Sequence, residues 1–101
     1  MTLKERDPVF ENLENLQEGA VYETLGQILD EEAKRGLIIC RCPACLVDIA
    51  AVALNSLPPR YVADRFNKFP PENGEIDRHR DQVIQALRLA IRTVSSRPHH
   101  R

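Results

Sequence analysis

Apolar residues recur at helical spacing in two parts of the chain and predict two amphipathic helices. From about Gly19 to Arg35, apolar residues follow one another at intervals of three and four, which is the period of a single helix face. Gly36 then supplies a C-cap. The same spacing from about Ile76 to Ser95 predicts the second helix. The apolar faces consist of Val21, Leu25, Ile28, Leu29 and Ala33 in the first helix and Val83, Leu87, Ala90, Ile91 and Val94 in the second.

The segment between these helices is apolar at almost every position and predicts a helix without a solvated face. It follows the extended connector Leu37–Ile39 and runs from Pro43 to about Leu54 or Asn55, with Asn55 as its cap. Such a helix belongs in the middle of a fold, yet the flanking helices of so short a chain can hardly enclose it. We therefore expect a small all-α domain with a central apolar helix, assembled as an intertwined homodimer. The sequence shows no alternating strand pattern.

The other parts of the chain are predicted to be irregular segments of a single domain, residues 1–101. Residues 1–18 form an N-terminal arm, in which Asp7 and Pro8 begin a short helix as N-cap and first-turn proline. Pro58 and Pro59 end the central helix, residues 60–74 form a long loop, and residues 96–101 are a C-terminal tail. No segment reaches the roughly 20 apolar residues of a membrane span, and we expect a cytoplasmic protein.

Charges are divided unevenly along the 101-residue chain, whose net charge is −1. Residues 1–36 carry nine acidic and four basic residues, whereas residues 37–101 carry six acidic and ten basic residues, nine of them arginine. An arginine-rich half suits the binding of phosphates or carboxylates, and it equally suits pairing with the acidic half of the same chain. The balance falls short of the strongly basic surface of nucleic-acid-binding proteins, so we do not expect nucleic acid as a partner.

Three cysteines lie within six residues at the start of the central helix and predict a zinc knuckle. Thiolates are preferred zinc ligands, and a C-x-x-C spacing beside a helix N-terminus favours the ionised form of the thiols. A tetrahedral zinc site needs a fourth ligand, which we expect from a histidine of the C-terminal tail. The predicted zinc ligands are Cys40, Cys42 and Cys45 together with His99 or His100.

Two other interpretations of the cysteines stay open, namely redox catalysis and plain reduced thiols. Cys42 and Cys45 have the spacing of a thiol–disulfide oxidoreductase motif, although that motif normally follows a strand in an α/β fold. Paired catalytic carboxylates, a serine nucleophile arrangement and a glycine-rich phosphate loop are all missing from the sequence, so we expect a protein without enzymatic activity. His79 is interpreted as a surface histidine on a solvated helix face.

The segment from Cys40 to Val62 resembles the late competence development protein ComFB family. The resemblance rests on Cys40–Cys45, Asp48–Asn55 and Leu57–Val62, together with a terminal helix that ends in a proline-led tail. It implies a small, mostly helical, dimeric bacterial protein that binds zinc through cysteines. Some members are linked to competence or motility, and some are receptors for cyclic dinucleotides. In members with a fourth cysteine, that cysteine follows the final proline, where this chain has His99 and His100.

Binding of a cyclic dinucleotide, such as cyclic di-GMP or cyclic di-AMP, requires arginines for the phosphates and a flat side chain for stacking. The candidate residues are Arg60, Tyr61, Arg41 and Arg65. Considered one at a time, an exposed arginine is more often simply solvated, and a tyrosine such as Tyr61 is more often an aromatic residue at the edge of a core. We expect a non-enzymatic zinc-binding signalling protein of this type. The alternative is a structural adaptor that binds only an unknown protein partner.

Overall fold

The first helix is bounded by a side-chain cap at one end and a glycine at the other. The computed structural model describes residues 7–63 and 75–97. Helix α1 spans Leu16–Lys34 and begins earlier than predicted, because the Asn15 side chain accepts a hydrogen bond from the Gln17 amide at 3.1 Å. Beyond the C-cap Arg35, Gly36 has a φ of 96°, a conformation in which other residues are strained. Gly36 therefore helps to end α1, one position after the C-cap itself.

The second helix begins as predicted and ends slightly later. Helix α2 spans Pro43–Ser56, with Cys42 as its N-cap and proline in the first turn, where its fixed φ fits a helix. Its C-cap is Leu57, whose amide bonds to the Leu54 carbonyl at 3.3 Å. Asn55 lies exposed within the last turn, so the prediction that it caps the helix is wrong.

Two short strands correct the prediction of an entirely helical fold. Strands β1 (Glu14–Asn15) and β2 (Tyr61–Val62) form an antiparallel pair, with Glu14 opposite Val62 and Asn15 opposite Tyr61. Pro58 and Pro59 prevent α2 from continuing. The backbone of the next residue, Arg60, is then held by hydrogen bonds of both its amide and its carbonyl group. The Arg60 amide donates to the Asn15 side chain at 3.0 Å, and the Arg60 carbonyl accepts from the Leu16 amide at 2.8 Å.

The predicted irregular segments are described only in part. A short 3-10 helix at Pro8–Phe10 begins with Asp7, whose side chain accepts from the Val9 amide at 3.1 Å, which confirms the predicted cap. Of the predicted loop over residues 60–74, residues 64–74 lie outside the described residues, and so does most of the tail.

An aliphatic core lies where α1 and α2 meet helix α3, which spans Glu75–Ser96. All five apolar residues predicted for the inner face of α3 are buried. On α1, Ala33 is exposed, contrary to the prediction, and its neighbour Glu32 is buried instead. A single residue turns a helix by about 100°, so the inner face of α1 ends one position earlier than the apolar pattern suggested. The buried apolar residues are Val21, Ile28, Leu29, Cys45, Ile49, Ala53, Leu57, Val83, Ala86, Leu87, Ala90, Ile91 and Val94.

Helix α2 is not enclosed by the other two helices of the same chain. Only Cys45, Ile49 and Ala53 are buried along it, and its opposite side forms an exposed face at helical spacing. Val47 within that face is 67% exposed. Among the described residues, no helix combines the length and hydropathy needed to cross a bilayer. The exposed face, called here the α2 face, consists of the exposed residues Ala44, Val47, Ala51, Val52 and Asn55 together with the half-buried Asp48.

Ion pairs connect the acidic first half of the chain to the basic second half at the C-terminal end of α1. The Arg88 and Arg92 guanidinium groups of α3 lie 3.1 Å from Glu31 and 3.2 Å from Glu32 respectively. These pairs confirm that part of the charge asymmetry is neutralised within the chain. They also show that the C-terminal parts of α1 and α3 lie side by side.

Contacts at the opposite end establish the directions of the helices. Gln17, in the first turn of α1, contacts His79 near the start of α3, so these two helices run parallel. Gln17 also contacts the Pro58 carbonyl just after α2, whereas Arg41, just before α2, pairs with Asp30 near the end of α1. Helix α2 is therefore antiparallel to both of its neighbours.

Candidate metal centre

Local helix geometry brings the three cysteines together. Cys42 is the N-cap of α2 and Cys45 lies in its first turn, so the helical turn places one thiol beside the other. Cys40 approaches from the extended connector, two residues upstream. The three sulfur atoms all lie within 4.8 Å of one another, and all three cysteines are free thiols. The prediction that these residues form one cluster is confirmed.

The environment of the thiols shifts the pKa values of two of them in opposite directions. The Cys45 amide donates a hydrogen bond to the Cys42 sulfur at 3.4 Å, and this bond, aided by the Cys40 thiol, lowers the pKa of Cys42. Burial, followed by the neighbouring thiols, raises the pKa of Cys45 to about 11. In the metal-free protein, Cys45 therefore holds its proton at neutral pH. Metal binding there requires the loss of that proton.

The donor set fits a zinc ion. Zinc–sulfur bonds of about 2.3 Å in a tetrahedral arrangement place sulfur atoms about 3.8 Å apart, and the separations of up to 4.8 Å come close to this value. Three sulfur ligands also suit a soft or borderline metal better than magnesium or calcium, which prefer oxygen. Among the described residues, these three cysteines form the group of side chains that could hold a metal ion.

Arg41 connects the cysteine segment to α1. Its guanidinium group lies 2.8 Å from the Asp30 carboxylate, and both side chains are substantially exposed. An exposed pair of this kind contributes about 0 to 1 kcal/mol, so it orients the segment more than it stabilises the fold.

The other predicted ligand-binding residues lie far from the cysteines. Arg60 is half-buried just before β2, and Tyr61 in β2 is 61% exposed. The 14 residues of α2 separate them from Arg41, which corresponds to about 20 Å of helix. One chain therefore does not bring Arg41 together with Arg60 and Tyr61. The remaining predicted site residues, Arg65, His99 and His100, lie outside the described residues.

A polar contact involving His79 was missed by the sequence analysis. His79 is half-buried, and its Nε2 atom lies 2.6 Å from Oε1 of Gln17, which is 1% exposed. The interpretation of His79 as an ordinary surface residue is therefore wrong. A signal was present, because Gln17 precedes Val21 by four residues and so lies on the buried face of α1.

The fold and the cysteine site define a class of small, mainly helical proteins with a three-thiol centre at the start of the middle helix. A family model described as "Late competence development protein ComFB" matches residues 14–98, and the chain belongs to this family. The fold is similar to the solved structure of the late competence protein ComFB from Bacillus subtilis, with a TM-score of 0.56, 22% sequence identity, and coverage of 85% of this chain and 93% of that chain. No curated protein matches the chain.

Proposed function

We propose that this chain is a non-enzymatic zinc-binding regulatory protein, in which Cys40, Cys42 and Cys45 hold a structural zinc ion. The observation that carries the proposal is the convergence of three sulfur atoms within 4.8 Å at the N-terminus of α2. A fully ligated zinc ion stabilises a small fold and leaves no open position for catalysis. Zinc here fixes the connector against the start of α2.

The fourth zinc ligand in this proposal is His99 or His100. The ion pair between Arg92 and Glu32 supports it, because it places the last turns of α3 beside the C-terminal end of α1. The pair between Arg41 and Asp30 places the cysteine segment at the same end. The C-terminal end of α3, which precedes His99 and His100 in the sequence, therefore lies at the same end of the molecule as the cysteines.

Metal analysis of the purified native protein tests the zinc site. We expect one zinc ion per chain and a lower melting temperature after removal of zinc with a chelator, because a ligand that binds only the folded state stabilises it. Cys42→Ser should abolish zinc binding. Alanine variants of His99 and His100, singly and together, should identify the fourth ligand, with Arg97→Ala as a control. Metal-free native protein that melts at the same temperature with and without added zinc would contradict the proposal. Turnover in an insulin reduction assay would favour the oxidoreductase alternative.

We further propose that the chain binds a cyclic dinucleotide through Arg60 and Tyr61. The two residues are adjacent at β2, where the guanidinium group suits a phosphate and the exposed ring suits stacking on a base. Calorimetric titration with cyclic di-GMP and cyclic di-AMP tests this step. Tyr61→Ala should weaken binding by about 5- to 100-fold, the value of one base stack. Tyr22→Ala is a matched control, because Tyr22 is 60% exposed and lies on α1.

Self-association through the α2 face is the third part of the proposal. This face is mostly aliphatic, and Val47 within it is 67% exposed, so a second copy of the face would remove apolar surface from water. Val47→Glu should convert the dimer into a monomer in analytical ultracentrifugation, whereas Gln85→Glu, an exposed change on α3, should not. A native protein that is monomeric and binds neither dinucleotide would favour the adaptor alternative, with another protein on the same face.

A regulatory role in competence or motility is the cellular part of this proposal. The family description, which names late competence development, supports the competence part of this proposal. Replacing the chromosomal gene with the Cys42→Ser variant should lower transformation frequency or motility. Unchanged values of both would contradict this role.

A further inference from the structure

A buried glutamine joins three separate parts of the chain at the end of the molecule opposite to the cysteines. The Gln17 side chain is 1% exposed. Its Nε2 atom donates to the Pro58 carbonyl at 2.8 Å, and its Oε1 atom lies 2.6 Å from Nε2 of His79. A buried amide without partners is costly, so the two contacts explain why a polar residue is tolerated on the inner face of α1.

The chemistry of Pro58 fixes which way the amide group of Gln17 points. A carbonyl oxygen only accepts hydrogen bonds, so the Gln17 nitrogen must face Pro58 and the Gln17 oxygen must face His79. An amide oxygen also only accepts. His79 must therefore carry a proton on Nε2, as the neutral Nε2–H tautomer or as the imidazolium ion.

The same contacts hold the segment that contains Arg60 and Tyr61. Its backbone is fixed on one side by β1 and by Asn15, through the strand pairing and the Arg60 amide. On the other side, the Pro58 carbonyl is fixed by Gln17, which is itself held by His79. The position of residues 58–62 thus depends on α1 and α3 together.

We propose that Gln17 and His79 are positioning residues for nucleotide binding. His79 donates from Nε2 to Gln17, and Gln17 holds the Pro58 carbonyl, so that Arg60 and Tyr61 keep the orientation in which they meet the anionic ligand. This inference rests on the proposed binding of a cyclic dinucleotide at these two residues. Gln17 and His79 act through the backbone of the segment and need no contact with the nucleotide.

The first test needs only the native protein. Nitrogen-15 NMR of the histidine rings, recorded at a pH where His79 is neutral, should show the proton on Nε2. Observation of the Nδ1–H tautomer would overturn the inference. Nε2 of His79 would then be an acceptor, and it would face the Gln17 oxygen, which is also an acceptor. This test does not depend on any ligand.

The second test compares variants of Gln17 by hydrogen exchange of residues 57–63. Gln17→Leu removes both hydrogen bonds and should speed exchange there. Gln17→Glu keeps the acceptor that faces His79 but loses the donor to Pro58. Both variants lack the hydrogen bond to the Pro58 carbonyl, so they should show similarly fast exchange in this segment. Gln27→Leu is the matched control, because Gln27 lies exposed on the same helix and should leave exchange unchanged.

The third test measures the affinity for cyclic di-GMP. Gln17→Leu and His79→Leu should each weaken binding roughly three- to tenfold, the value of one ordinary hydrogen bond. His79→Gln, which retains a donor, should restore much of the loss seen in His79→Leu. This rescue separates positioning from a general loss of packing, and it decides the question even if Gln17→Leu fails to fold.

The outcomes separate this inference from the proposed function. If the native protein binds neither cyclic di-GMP nor cyclic di-AMP, the proposed ligand is wrong, and the positioning role proposed here falls with it, even where NMR and exchange show the predicted hydrogen bonds. If the native protein binds but the Gln17 and His79 variants bind equally well, the positioning role alone is wrong.

Discussion

The ion pair between Glu32 and Arg92 leads to a prediction in which the size of the stability loss depends on which partner is replaced. The Glu32 side chain is 3% exposed, whereas the Arg92 side chain is 54% exposed, and their closest atoms are 3.2 Å apart. Arg92→Ala leaves a buried carboxylate without the arginine. Glu32→Gln leaves an arginine that water already reaches and an amide that can still accept its hydrogen bond. Arg92→Ala, which changes the more exposed partner, should therefore destabilise the protein more than Glu32→Gln.

The magnitude follows from the burial of each group. Removing one partner of a fully buried ion pair costs about 3 to 5 kcal/mol, and the exposure of Arg92 lets water reach the vacated space, so we expect about 2 kcal/mol for Arg92→Ala. Glu32→Gln should cost about 1 kcal/mol or less. Arg41→Ala removes an exposed pair with Asp30 and should cost at most about 1 kcal/mol. For a domain of this size, 2 kcal/mol corresponds to a decrease in melting temperature of about 10 °C.

Urea unfolding followed by circular dichroism measures these differences, at one protein concentration and one zinc concentration because association and metal binding shift the apparent stability. The double variant Glu32→Gln with Arg92→Ala should be more stable than Arg92→Ala alone, since the buried charge is gone. The reasoning is refuted if Arg92→Ala costs no more than Arg41→Ala, or if Glu32→Gln is the more damaging change.

Three further predictions concern the core, a turn and the thiols. Ile49→Ala should lower the free energy of unfolding by about 2 to 5 kcal/mol in urea titrations, because Ile49 is fully buried, and a loss below 1 kcal/mol would contradict this packing. Gly36→Ala should destabilise by about 1 to 2 kcal/mol because of the positive φ, whereas Gly26→Ala inside α1 should stabilise by about 0.5 to 1 kcal/mol in thermal melts, and equal effects would refute the argument. Since burial raises the pKa of Cys45 from about 9 to about 11, the contribution of the protonated thiol to the stability of the metal-free protein should be complete below pH 9 and should be lost as pH rises from 9 to 11. Cys45→Ala should remove that decline.

Helix faces and the cysteine cluster were predictable because both depend on local spacing. The apolar residues of α3 repeat with the helical period over many turns, so the buried face follows directly from the sequence. The approach of Cys42 to Cys45 needs only one helical turn after a capping position. The family resemblance seen in the sequence was confirmed by the match over residues 14–98.

Contacts between distant segments were not predictable in the same way. The strand pairs join residues more than 40 positions apart, and two-residue strands carry no alternation that a sequence pattern can show. The burial of Glu32 in place of Ala33 depends on the presence of Arg92 across the helix interface.

Two buried polar residues of α1 also help to determine how α1 and α3 are aligned. Contacts among aliphatic side chains have little directional preference, so the core alone permits α3 to shift or to reverse along α1. Gln17 and Glu32 are 15 positions apart, or about 22 Å along the helix, and they contact His79 and Arg92 respectively. A reversed α3 would leave both buried groups without these partners, at a cost of about 1 to 3 kcal/mol each. The polar residues therefore select the parallel arrangement, and this arrangement brings the C-terminal end of α3 to the end of the molecule that carries the cysteines.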